Sequence, residues 1–434
     1  MKPRLKSALF SLLVVSQLAA AELEDFALKT ELSVGYGSAA STSMQEVVEL
    51  SPSFNVVFSP STQLVLAARM RLDFADTIDL GRIDTASYSS ISRPASISDL
   101  GSIEIRDAYL ERTLRNGILR LGKQQIVWGK LDGLKVLDVL NPQDFREFIL
   151  DDFSDSRISQ WSAYLDLTLA GWQTELLLSP DNSGHQIPTQ GSWFSLTAPR
   201  FRFGSDSENP GVDLQTDRKS ISASTAAYAM RFSRHVGDFE LGAMAYSGID
   251  HEPLGRFVQR SSGLALERFY ERREVFGASV ETAFGAFAVR AEASIQPNRH
   301  FNARTPAALS TITMDQLRAG AGIDIDGPWN TFINIQYLHD QVSDGPPSLI
   351  RPAKDRIVTA FLRRSFNYDS VRLVAKWYQS LELHDEMYSL AIEYAIDDNT
   401  TVKFAADGFS GDPTGLFGQF AERDRITLGL THTF

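Results

Sequence analysis

Apolar and polar side chains alternate with a period of two along most of this chain. In 63–74, Leu64, Leu66, Ala68, Met70, Leu72 and Phe74 share one parity, while Gln63, Arg69, Arg71 and Asp73 share the other. In 286–296, Phe287, Val289, Ala291, Ala293 and Ile295 oppose Arg290, Glu292, Ser294 and Gln296, and in 401–407 Val402, Phe404 and Ala406 oppose Lys403 and Asp407. A helix repeats near 3.6 residues, so this period predicts strands with two unlike faces. A soluble sandwich needs a dry core and covered faces; here one face carries charge strand after strand, which suits a wall between lipid and water. Segments of about ten residues are the length a tilted strand needs to cross a bilayer.

The alternation predicts strands near 28–36, 44–58, 62–75, 100–114, 117–127, 157–169, 172–179, 220–234, 238–249, 269–284, 286–296, 311–325, 329–340, 355–366, 371–381, 386–396, 400–408 and 421–434. That is eighteen, an even number, as a single-chain barrel with both ends on one side requires. Connections alternate between short turns, such as Ser59-Pro60, Arg115-Asn116, Ala170-Gly171 and Asp326-Gly327-Pro328, and long ones at 76–99, 128–156, 181–219, 250–268, 297–310 and 341–354. Turn-forming residues between apolar alternations mark hairpins, and short inner turns with long outer loops are the asymmetry of a barrel. Phe58, Trp172, Phe239, Phe284, Phe287, Trp329, Phe366 and Phe434 cluster beside the short turns and read as an interfacial girdle.

The two ends sharpen this. Lys2, Arg4 and Lys6 precede the short apolar stretch Ala8 to Val15 and the small residues Ala19, Ala20 and Ala21, the pattern of an export leader cleaved after residue 21. The expected mature chain, 22–434, is then the barrel. At the far end Ile426, Leu428, Leu430 and Phe434 oppose Thr427, Gly429, Thr431 and Thr433. A last strand that ends in an aromatic carboxyl-terminal residue resembles the signal that barrel-assembly machinery reads, with Phe434 as its key residue. No apolar run long enough for a membrane helix follows the leader. The expected fold class is therefore all-β: a transmembrane antiparallel up-and-down β-barrel of about eighteen strands in the outer membrane, in contact with its lipid and lipopolysaccharide.

One segment breaks the period. From Trp128 the chain loses its alternation, and Asn141-Pro142-Gln143-Asp144 reads as a helix start, with a capping Asn, Pro in the first position and an acid in the first turn. Phe145, Phe148 and Ile149 then fall on one helical face. A loop this apolar is expected to fold inward, with Trp128, Phe145, Phe148, Ile149 and Phe153 as its anchor, so that 128–156 forms a partly helical constriction or plug. It carries Asp132, Asp138, Asp144, Glu147, Asp151, Asp152 and Asp155 against Lys130, Lys135 and Arg146, whereas the inward parity of the strands carries Arg69, Arg71, Arg106, Arg120, Arg290, Arg372, Lys376, Lys403 and Arg425. An acidic loop facing a basic wall sets pore selectivity, or the same pairs pin the loop to the wall; the two roles are compatible. Arg rather than Lys on the wall favours carboxylate or phosphate groups.

The stretch Leu121-Gly-Lys-Gln-Gln-Ile-Val-Trp-Gly, with Asn141-Pro-Gln-Asp-Phe-Arg-Glu-Phe148, Asp151-Asp152 and Asp155-Ser-Arg-Ile158, resembles a widespread proteobacterial outer-membrane barrel family of unknown function. That family is related to alginate-export-like and substrate-specific porins. The resemblance covers about forty residues, and the rest matches as architecture. It implies a role beside an inner-membrane transporter and a periplasmic lipoprotein in moving lipid-like or hydrophobic molecules, and it offers no settled binding residues.

Composition removes other classes. The formal charge of −12 argues against nucleic acid as a partner. With no cysteine there is no disulfide framework, thiolate metal site or thiol nucleophile. No metal or other cofactor is indicated: the seven histidines show no metal-ligand spacing, and Asp206, Glu208 and Asp213 lack the spacing of a calcium loop. An enzyme would have to recruit His339 with Asp340 or His384 with Asp385, and solvated strand-end residues are the simpler reading. The expected function is a passive, selective channel for small or amphipathic solutes; the alternative is the outer-membrane component of a lipid-transport pathway.

Overall fold

A computed structural model describes residues 22–37, 43–133, 135–151, 153–203, 213–261, 263–305, 308–343 and 345–434. The expected leader, 1–21, lies outside them. So do most of the acidic 206–213 segment, position 152 and the side chain of Phe153.

Eighteen strands form the wall: β1 Glu22–Gly37, β2 Ser43–Ser59, β3 Thr62–Asp73, β4 Gly101–Leu114, β5 Gly117–Gln124, β6 Gln160–Leu169, β7 Trp172–Ser179, β8 Ala227–Val236 and β9 Phe239–Ile249, followed by β10 Arg272–Phe284, β11 Phe287–Thr305, β12 Ala308–Gly327, β13 Thr331–Val342, β14 Lys354–Phe366, β15 Val371–Ser380, β16 Asp385–Ala395, β17 Thr400–Ser410 and β18 Arg425–Thr433. Each pairs antiparallel with the next, and β18 closes on β1 in a register running from Lys29 opposite Thr433 to Gly37 opposite Arg425. The fold is the expected up-and-down barrel. The tight turns lie at the end that holds Glu22 and Phe434; between β6 and β7, Ala170 (φ 49°) and Gly171 (φ 78°) take the left-handed conformation a two-residue hairpin turn demands.

The two faces are inverted relative to a soluble protein. Ile105 is 50% exposed and Leu428 56%, whereas Arg69 is 5% and Glu292 3% exposed. Outward apolar and inward charged residues place lipid outside and the polar lumen within. Trp172, Phe239, Phe284, Phe287, Trp329, Phe366 and Phe434 stand exposed near the short turns, joined there by Tyr368; Phe58 is half-buried.

The structure corrects several boundaries. Most of the expected loop 297–310 is strand: β11 runs on to Thr305 and β12 starts at Ala308, the two pairing past a bulge between Gln296 and Arg299. That bulge turns the Arg299 guanidinium onto Asp250 at 2.7 Å and Glu252 at 2.7 Å, so the break in alternation reflects a tertiary contact. β8 begins at Ala227 rather than 220, and β6 at Gln160 rather than 157. Loop segments read as irregular carry short strands: 95–97 pairs with β4, and 213–217, 254–260 and 263–269 form a small sheet. No helix starts at Asn141; the helix of this loop, α1, is the four residues Phe153–Ser156.

Leu428→Arg, on the lipid face of β18, is expected to cost about 2–4 kcal/mol if it lies near the bilayer midplane, measured by urea titration of folding into lipid vesicles. A cost near zero would contradict the assignment of this face to lipid.

Candidate constriction and lumen

The described residues of the chain between β5 and β6 (125–159) fold into the barrel as two legs stitched by hydrogen bonds and one isolated bridge, Gln143 with Arg157. Ile126 N donates to the Asn141 side-chain oxygen at 2.9 Å, and the Asn141 amide donates to Ile158 O at 2.9 Å. Asp144 N reaches Ser156 O at 2.6 Å and Ile158 N reaches Pro142 O at 2.9 Å. Asn141 therefore holds the two legs of the loop together instead of capping a helix, which is why the helix signal there misleads.

Trp128, Leu131, Val136, Leu137, Val139 and Leu140 are buried against inward apolar residues of the wall, among them Leu177, Met244, Val275, Leu338 and Ile357. Two glycines make the sockets: a Cβ on Gly277 of β10 would lie 2.3 Å from Leu137 Cδ2, and one on Gly320 of β12 would lie 2.4 Å from Leu131 Cδ1. The main wall anchor is thus Trp128, Leu131, Val136, Leu137, Val139 and Leu140. Phe145 packs on His185 at 5.1 Å between ring centres, and Phe148 joins Phe194, Phe409, Phe417 and Phe420, with Ile149 at the margin. The expected anchor is corrected in part: Phe145 packs on the β7–β8 loop, whereas Phe148 meets both the loop rings Phe194, Phe417 and Phe420 and the wall residues Phe409 of β17 and Met387 of β16, and without the helix the two rings do not share a face.

Charge fixes the rest. Glu147 accepts from Arg71, from Arg425 at 2.9 Å and from Gln45 at 3.3 Å. Glu292 accepts from the backbone N–H of Lys130 and, at 3.2 Å, of Leu137. Trp128 donates its indole N–H to Glu175 at 3.0 Å. Asp144 holds Arg146 at 2.6 Å and lies 3.7 Å from Arg69, Arg146 also reaches Asp79, and Arg106 donates to Ser154 O at 2.7 Å. Asp132 meets Arg290 at 3.3 Å, while Asp138 meets Arg157 at 3.0 Å and Lys135 at 3.4 Å. Arg120 is a correction: it pairs with Glu111 of the neighbouring strand at 2.7 Å and takes no part in the constriction. The alternation set Glu292 inward without giving it a role, with the small residues Ala291 and Ala293 beside it as the available signal, and the roles of Glu175 and Gln45 became visible only in the structure.

Within this frame burial pushes the Asp144 carboxyl up, but Arg146 and Arg69 overcome it and hold it well below the usual carboxylate range. His251, between the carbonyls of Ser183 at 2.9 Å and Leu140 at 3.1 Å, bridges this loop to the β7–β8 loop. Burial and Arg273 lower it to about 4, and burial beside His251 lowers His185 as well.

Two cavities flank the loop. The inner one, about 560 Å³, lies between Asp132, Glu147, Asp151 and Asp155 on the loop side and β1–β3 with β13–β18 on the wall side. The wall supplies Arg69, Arg71, Arg363, Arg372, Lys376, Lys403 and Arg425, interspersed with Glu31, Glu49, Glu393 and Asp407. Arg372 is paired with Glu393 at 3.1 Å. Among the described residues Lys376 and Lys403 have neither hydrogen bond nor ion pair. The outer cavity, about 330 Å³, is mostly apolar, and both cavities touch Asp151 and Tyr378. His339 and Asp340 form no catalytic pair: as strand neighbours they point to opposite faces, His339 to Gln341 at 3.1 Å and Asp340 to Arg351 at 3.0 Å. His384 sits in a turn at φ 51°, and Asp385 accepts from the Gly418 amide at 3.1 Å.

An eighteen-stranded antiparallel barrel with charged loop and wall is the fold of outer-membrane porins. The chain belongs to the DUF1302 family, a family described as of unknown function, which matches residues 84–375. No curated protein matches it. Among solved structures it is similar to OccK8 (OprE) of Pseudomonas aeruginosa, with TM-score 0.52 and 9% identity over 96% of this chain and 98% of that one. OccAB1 of Acinetobacter baumannii gives TM-score 0.51 and 7% identity over 96% of each chain. OccK2 (OpdF) of Pseudomonas aeruginosa, solved in complex with glucuronate, gives 0.50 and 9% over 95% of this chain and 96% of that one. At these identities the likeness is one of fold.

Acid is expected to loosen the loop. The fold holds His251 neutral, while an exposed imidazole takes up its proton near pH 6.5, so this contribution is complete above about pH 6.5 and is lost as pH falls towards 4. Asp144, held ionised, loses its contribution in the same direction at lower pH, below about 4. Hydrogen exchange of residues 125–159, corrected for intrinsic rates, should rise relative to the strands between pH 7 and 4.5; unchanged protection would refute the linkage. Glu147→Gln removes the charge facing Arg71 and Arg425, and by the cost of breaking a buried pair it should weaken loop docking by about 3 kcal/mol, read as faster exchange in the same segment.

Proposed function

We propose that the protein is an outer-membrane channel through which small solutes pass passively, with the 125–159 loop as its constriction. The observation that carries this reading is the inner cavity, in which Lys376 and Lys403 line the lumen without a partner among the described residues, together with the loop carboxylates Asp132 and Asp151. Unpaired lumen cations attract anionic solutes, and the opposed carboxylates restrict which of them pass. The interspersed wall acids make this a patterned field rather than a uniformly basic one. A barrel of this size leaves an aqueous lumen unless something fills it, and the loop sets how much remains. Outer-membrane lipid and lipopolysaccharide would surround the exposed apolar face, and β18 with Phe434 would engage the assembly machinery. A periplasmic lipoprotein and an inner-membrane transporter stay partners suggested by the family resemblance alone.

In planar bilayers this reading gives ohmic single-channel current, and Lys376→Glu with Lys403→Glu should shift the reversal potential in a salt gradient towards cation preference. Deleting 131–152 should raise the conductance. Sealed bilayers with both the native and the deleted chain would sink the proposal.

A further inference from the structure

The outer cavity has no part in the ion path described above, yet its lining is built for a guest. Phe145, Phe148 and Ile149 of the constriction loop, Leu196 and Phe201 of the β7–β8 loop, and Ile357 of β14 contribute its apolar surface. An apolar lining alone accepts any greasy molecule, and the charges at its edge decide the class. Two carboxylates there are each shared by two cations. Asp340 receives Arg318 at 3.3 Å and Arg351 at 3.0 Å; Asp138 receives Arg157 at 3.0 Å and Lys135 at 3.4 Å. Lys135 Nζ and Arg318 Nε lie within ion-pair distance of those acids but make no hydrogen bond, and both residues line the cavity. Buried N–H donors without an acceptor favour an incoming anion.

The remaining acids of the lining do not offset this equally. Asp355 holds Arg200 at 3.0 Å and Glu252 holds Arg299 at 2.7 Å, so both are neutralised. Asp151 has no cation partner among the described residues, and it disfavours a guest with a second negative group.

We propose that this cavity binds an amphipathic monocarboxylate, its head group accepting hydrogen bonds from Lys135 and Arg318 and its apolar body lying against Phe145, Phe148 and Leu196. The site names a substrate class for the channel and rests on that reading only for the guest's onward path, past Asp151 and Tyr378 into the inner cavity. There Lys376 and Lys403 offer the next positive charges.

Full-length protein in lipid nanodiscs, titrated calorimetrically with octanoate, octanol and octylammonium against empty nanodiscs, tests this. Octanoate should bind saturably, and the other two at least about tenfold more weakly. Lys135→Gln combined with Arg318→Gln should abolish the head-group preference, whereas Lys135→Arg, which keeps the charge and reports on folding, should retain it. Three results overturn the site: octanoate uptake no greater than in empty nanodiscs, equal binding of octylammonium, or a preference that survives the double substitution. Bilayer current separates this from the channel reading. Octanoate binding without current leaves the site standing and removes the channel; current without octanoate binding does the reverse.

Discussion

Closure of the sheet is the constraint from which the rest of this molecule follows. In hydrocarbon an unpaired backbone N–H or C=O costs several kcal/mol, so a strand edge cannot be left open there. The register of β18 on β1, from Lys29 opposite Thr433 to Gly37 opposite Arg425, removes the last edge. Antiparallel closure by neighbours in sequence demands an even strand number and puts both termini on one side. The tight turns then share that side, and the connections free to grow lie on the other.

A closed wall of this size encloses space, and what occupies it is decided by the inward face. The wall offers two kinds of contact to the returning chain. Missing side chains at Gly277 and Gly320 receive Leu137 and Leu131, and the inward acids Glu175 and Glu292 receive an indole N–H and two backbone N–H groups. The buried ion pairs around Glu147 and Asp144 add position more than net stability, since desolvation offsets much of their attraction while loss of one partner is costly. The loop therefore stands at a defined depth, with the inner cavity on one side and the outer cavity on the other. Among the described residues, cations with no partner on the inner side (Lys376 and Lys403) and ion-paired cations that keep an N–H without an acceptor on the outer side (Lys135 and Arg318) are where a solute can act.

Much of the wall was legible in the sequence, for a local reason: each strand carries its own lipid face and lumen face, so the period survives without knowledge of its neighbours. The exceptions are informative. Residues 297–310 lost their alternation because Arg299 turns at a bulge to Asp250 and Glu252, contacts made to a different loop. Asn141-Pro142 carried a sound helix signal, yet the Asn141 amide is spent on Ile126 and Ile158, and the backbone around it pairs with Ser156 and Gln186. Arg120 shared the inward parity of the constriction residues but finds its acid on the adjacent strand, far enough along the wall to stay clear of the loop.

What the sequence determined by itself was therefore the barrel: its period, its turns, the strand count and the face each residue takes, all properties of a few consecutive residues. What only the tertiary structure decided was the site. Glu147 meets Arg425 across 278 positions and Gln45 across 102, and the Lys130 amide meets Glu292 across 162. Many acids and bases of the right sign point inward, and the sequence contains no measure of which pairs lie at the same height in the barrel. Packing of Leu131 and Leu137 into their glycine sockets sets that height, and with it which cations remain free.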